Sequence, residues 1–74
     1  MGVSYPTMAE TFVRLPGLRA AREQAGLPLA ALARKSGVSR DTLGKLENSD
    51  RDAYIFTAEK IAEALGVSVD ELTA

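Results

Sequence analysis

The chain has 74 residues, no cysteine, no histidine and a net charge of −1. That length makes one small domain, and the missing residue types exclude disulfides, thiolate or imidazole metal sites and a histidine general base. No apolar run approaches the roughly 18 residues of a membrane-spanning helix, and no positive segment followed by an apolar stretch opens the chain, so a soluble cytoplasmic protein is expected.

Residues 1–15 form a leader. Pro6 opposes an early helix, and Thr11 to Leu15 reads as a short strand or an extended arm. Residues 16–74 form the domain proper. Pro16 suits the first turn of a helix that reaches about Ala25 and stops at Gly26, with Leu18, Ala21 and Ala25 on its apolar face. A second helix spans about Leu29 to Lys35 and a third about Arg40 to Glu47. Asn48 to Asp52 is rich in turn formers. A fourth helix starts at Ala53 or Tyr54, with Asp52 as a cap, and ends before Gly66. Its stripe is Ile55, Ala58, Ala62 and Leu65. A fifth runs from about Ser68 to Leu72, where Ser68 and Glu71 have capping-box spacing. The fold class is all-α, a compact bundle of about five short helices.

The stretch Leu29 to Asn48 is the most informative. Gly37 sits where a chain leaving one helix turns left-handed, and Ser39 follows as an N-cap. Leu32, Ala33, Val38, Leu43 and Leu46 face inward across the turn. This is the layout of a helix-turn-helix. Leu18 to Leu72 resembles the lambda-repressor/Cro-like (XRE) family. The matching pieces are Leu18-x-x-x-Arg22-x-x-x-Gly26-Leu27, Leu32-Ala33, Gly37-Val38-Ser39, Thr42-Leu43-x-x-Leu46-Glu47-Asn48 and Ala64-Leu65-Gly66-Val67-Ser68-Val69-Asp70-Glu71-Leu72. Two departures stand out. Pro28 and Leu29 occupy positions where the family carries a polar cap and a glutamine, and Tyr54-Ile55-Phe56 is more apolar than usual.

The resemblance implies a sequence-specific DNA-binding transcriptional regulator, expected to be a repressor from a prokaryote or phage, whose third helix reads the major groove. Base edges would meet Arg40, Asp41, Gly44 and Lys45. Arg40 offers a bidentate pair to guanine, and Lys45 a point donor to a base or a phosphate. Asp41 either accepts from cytosine or orients Arg40 or Lys45. Gly44, unfavourable inside a helix, marks either a close approach of DNA or a tolerated surface defect. Arg19, Lys35, Ser39, Asn48 and Arg51 flank that face as phosphate contacts, helped by amides at the starts of the second and third helices. Arg22 and Glu47 match a structural ion pair of the family.

Charge is segregated along the chain. Arg14 to Lys45 holds seven cations against two acids, net +5, and Leu46 to Ala74 holds two cations against seven acids, net −5. A polarised domain presents one face to phosphates. Specificity from one short helix calls for a homodimer on a palindromic operator, with Tyr54, Ile55 and Phe56 as the interface and the leader assisting. Tyr54 and Phe56 cannot both join the buried stripe beside Ile55, so either a ring stays exposed or Phe56 folds back on the leader. No catalytic constellation, metal site, cofactor motif, membrane segment or small-molecule effector module is expected. The alternative function is a helix-turn-helix domain acting through protein contact, as an antitoxin or accessory factor.

Overall fold

The computed structural model describes residues 11–74. The elements are β1 (Phe12–Val13), α1 (Leu18–Gln24), α2 (Leu29–Ser36), α3 (Arg40–Glu47), β2 (Ala53–Tyr54), α4 (Ile55–Leu65) and α5 (Val69–Thr73). Five short helices carry the molecule, and a two-stranded antiparallel sheet is a minor addition. Its register pairs Phe12 with Tyr54 and Val13 with Ala53.

Glycine punctuates three helix ends. Gly26, Gly37 and Gly66 have φ of 71°, 74° and 72°, the left-handed region that side chains disfavour. At α1 and α4 the ends close as Schellman motifs: Leu27 N–H donates to Arg22 O at 3.2 Å, and Val67 N–H to Ala62 O at 3.0 Å. The end of α3 uses the same pattern, with Asp50 N–H donating to Lys45 O, but Ser49 takes the left-handed position at φ 59°. Between α2 and α3 the turn is braced by Ser36. Its buried hydroxyl donates to Leu32 O at 2.7 Å and accepts from Val38 N–H at 3.2 Å.

The core is one cluster of Leu15, Leu18, Ala21, Leu32, Leu43, Leu46, Ala53, Ala58, Ile61, Ala62 and Leu72. Helix α2 packs against α3 and α4, and α5 against α1 and α4. Burial of the seven large side chains supplies most of the driving force, at about 1.5–3 kcal/mol each. Residues 11–15 pack as part of this unit, since Leu15 is 1% exposed. Residues 1–10, the rest of the expected leader, lie outside the described residues.

Several details differ from expectation. Pro16 precedes α1 and does not enter it; Gly17 is the N-cap, and its N–H donates to Leu72 O at 2.8 Å. Ala25 is exposed, because the chain has already left the helix there. Helix α4 begins at Ile55 after an extended Ala53–Tyr54, and Asp52 does not cap it. Its buried line is Ala58, Ile61 and Ala62, with Ile55 and Leu65 only half-buried. For α5, the Ser68 side chain accepts from Glu71 N–H at 3.3 Å.

Candidate nucleic-acid interface

Helix α3 forms because Ser39 caps it: the hydroxyl accepts from Thr42 N–H at 3.1 Å and donates to Thr42 Oγ1 at 2.8 Å. Leu43 and Leu46 are buried, which fixes the rotation of the helix and turns Arg40, Asp41 and Lys45 to the outside. These residues, with Gly44 and Asn48, meet Leu29 of α2 around an open depression of about 570 Å³. All four residues expected to read bases therefore line one concavity.

The charges around it are not equally available. Lys45 Nζ lies 3.2 Å from Asp41 Oδ2, one helical turn apart, so the acid holds the lysine. Asn48 Oδ1 accepts from Arg19 Nη2 at 2.7 Å. Arg40, Lys35 and Arg51 form no ion pair among the described residues and are exposed. Gly44 is in open space: a Cβ built there meets nothing within 4 Å. Pro28 stands at the N-cap of α2 with no side-chain cap bond.

Beneath this face lies a charged brace. Arg22 Nε donates to Glu47 Oε2 at 2.5 Å and Nη2 to Oε1 at 3.2 Å, a bidentate pair joining α1 to the end of α3. Arg22 Nη1 also donates to Leu27 O at 2.9 Å. The Glu47 side chain is only 3% exposed and that of Arg22 15%. The bond to Glu47 raises the Arg22 pKa above its ordinary value; burial opposes this, and the negative charges of Glu47 and Glu23 add to it. Arg19 reaches Glu47 as well, with Nε 3.3 Å from Oε1, but its side chain is 54% exposed.

One feature escaped the sequence reading. Arg14 Nε donates to Asp52 Oδ1 at 2.7 Å and Nη1 to Ser49 O at 3.2 Å, clamping the loop after α3 to the residue following β1. The partners are more than thirty positions apart, so no local pattern announces them. The ring expected to stay exposed at Tyr54 or Phe56 is joined by the other and by Phe12 in an exposed row: Phe12 and Tyr54 centroids are 4.6 Å apart, Tyr54 and Phe56 5.6 Å, and Lys60 Nζ lies 5.5 Å from the Phe56 ring centre. Ile55 is half-buried beside it. Among the described residues there is no metal-binding cluster and no helix long and apolar enough to cross a membrane.

Comparison with known proteins accounts for this geometry. The profile of the HTH_3 family, described as helix-turn-helix, matches residues 18–72. A protein from Pyrobaculum aerophilum that carries the name HTH-type transcriptional regulatory protein is 40% identical over 52 residues, covering 70% of this chain. The chain spans only 21% of that relative's length. The restriction-modification controller protein of Aeromonas hydrophila superposes with a TM-score of 0.73 at 33% identity, covering 77% of this chain and 86% of that one. An HTH_3 family transcriptional regulator from Vibrio cholerae gives 0.72 at 36% identity, covering 76% of this chain and 32% of that one. The chain belongs to the HTH_3 helix-turn-helix family of Cro/C1-type DNA-binding regulators, a non-enzymatic class.

Proposed function

We propose that this domain is a sequence-specific transcriptional repressor that reads the DNA major groove with α3. The carrying observation is the gathering of Arg40, Asp41, Gly44 and Lys45 around one open depression on the outer face of a capped helix. In this reading Arg40, whose guanidinium has no ion-pair partner among the described residues, takes a guanine edge. Asp41 holds Lys45 in place, and Lys45 contacts a base or a phosphate. Ser39, Lys35, Arg51, Arg19 and Asn48 flank the helix as phosphate contacts. Arg19 keeps Asn48 and Glu47 as partners in the free protein, so its phosphate contact requires sharing or exchange.

Residues 16–74 act as the binding domain. Two copies bind a palindromic operator as a homodimer, with Tyr54, Ile55 and Phe56 at the interface. The setting is the cytoplasm of a prokaryote or phage, on the nucleoid when bound. Selection of bound sites from random duplex DNA tests the whole reading. A palindromic consensus with half-sites about 34 Å apart is expected. No enrichment at low salt would overturn it.

The exposed row of Phe12, Tyr54 and Phe56 favours a second reading, action through contact with a different protein. Under it, Arg40→Ala and Lys45→Ala leave function in the cell intact.

A further inference from the structure

The surface of the depression beside α3 is more apolar than polar, although four of its six lining residues, Arg40, Asp41, Lys45 and Asn48, carry polar side chains. Arg40, Gly44 and Asn48 follow one another at four-residue spacing along the helix, so Gly44 lies in the middle of the row. Leu29, at the start of α2, lines the same depression from the neighbouring helix. Asp41 is engaged by Lys45 and Asn48 by Arg19, so neither is an idle acceptor there. What remains between them is the leucine side chain and the bare Cα of a glycine, with room where a Cβ would meet nothing. No contact within the protein requires this glycine.

An apolar seat among polar groups selects for an apolar feature on the base edges. The largest apolar group the major groove exposes is the 5-methyl group of thymine; cytosine C5–H and purine C8–H offer far less surface, and the other groups on the base edges are hydrogen-bond donors or acceptors. We propose that Leu29 and Gly44 form a seat for a pyrimidine 5-methyl group, so that this domain recognises a thymine by its methyl beside the guanine taken by Arg40. This rests on the DNA-binding reading above. A polar residue at position 29 would face the same methyl with an unsatisfied donor, so the leucine makes the methyl a favourable contact and not a tolerated one.

The test uses the tightest duplex recovered from a random pool. Each thymine is replaced singly by deoxyuridine, which removes the methyl and keeps every hydrogen-bonding group. One thymine per half-site is expected to lose about fourfold in affinity, the worth of one buried methyl. That ratio should hold as salt rises from about 50 to about 200 mM although both affinities fall, since the contact carries no charge. Gly44→Ala, which the open space accommodates, should abolish the difference between thymine and deoxyuridine duplexes by filling the seat. Leu29→Gln should also remove it, and thermal melting checks that this variant folds. Equal affinity for all deoxyuridine duplexes in the wild type would overturn the seat and leave the DNA-binding reading standing. Persistence of the methyl preference in Gly44→Ala would do the same. Failure to enrich any duplex would overturn both.

Discussion

Two arginines from α1 converge on Glu47, a carboxylate at the end of α3 that water barely reaches. Its removal leaves Arg22 largely buried with an uncompensated charge. Glu47→Ala should destabilise by about 3–5 kcal/mol, and Arg22→Ala by less, since Arg19 still reaches the acid. Arg19→Ala, whose side chain is mostly in water, should cost about 0–1 kcal/mol. Urea denaturation of the three variants checks the ordering; equal effects at Arg19 and Arg22 would refute it. The raised pKa of Arg22 adds stability below the unfolded arginine value that is lost only as pH climbs through the folded one. Both lie beyond the range of ordinary experiments, so this arginine contributes no pH dependence there. Gly17 carries the second prediction at this scale. A methyl there would run into the carbonyl oxygen of Glu71 and lie 3.2 Å from that of Leu72. Backbone cannot swing aside as a side chain can, so Gly17→Ala should cost about 1–3 kcal/mol, read as a lowered melting temperature. The ordinary logic of glycine in turns does not reveal this position, since the constraint comes from a helix end more than fifty residues away.

Among the elements, α2 and α3 were legible because the signals are local. Gly37, Ser39 and the spacing of Leu32, Leu43 and Leu46 lie within about one turn of the structure they determine. The start of α4 was not. Ala53 and Tyr54 carry no strand pattern of their own, and a two-residue strand exists only because Phe12 and Val13 arrive beside it. In α4 the alanine-rich stripe gave little contrast between faces, and Ile61 was overlooked as its centre. The outer face of α3 was legible only as residue types on one side of a helix. That Asp41 would hold Lys45 and Asn48 would hold Arg19 depends on rotamers and on α1, which spacing alone does not specify. The aromatic row is where β2 and α4 present their unused surface: Phe12, Tyr54 and Phe56 are 54%, 43% and 41% exposed. Phe56→Glu should therefore leave the melting temperature within a few degrees of wild type, as changes at exposed sites do. It should also weaken self-association on a palindromic duplex by at least tenfold in equilibrium sedimentation. Unfolding of the variant would assign the ring to the core and remove this interface.

For the molecule as a whole, segregation of charge matters more than its near-zero sum. The net +5 segment from Arg14 to Lys45 carries most of the proposed DNA face, to which the net −5 segment from Leu46 to Ala74 adds only Asn48 and Arg51. With about 4–6 phosphates neutralised per protomer, log K should fall with log salt at a slope of about −4 to −5 per protomer. Titration at four salt concentrations measures it; a slope near zero would mean that phosphate contact is not the source of affinity. The small sheet has a consequence in time. It closes a chain loop of about forty residues with four residues of ladder, so its loop entropy is spent for few contacts. Helices whose contacts are nearer in sequence should form first, and the sheet should join after the folding barrier. Phe12→Ala should then speed unfolding while leaving the refolding rate unchanged, measured by stopped-flow chevrons. The aromatic row, which needs Phe12 of β1 beside Tyr54, would be completed only when the sheet forms. A partner that grips it would act as a latch, lengthening the native lifetime without making the chain fold any faster.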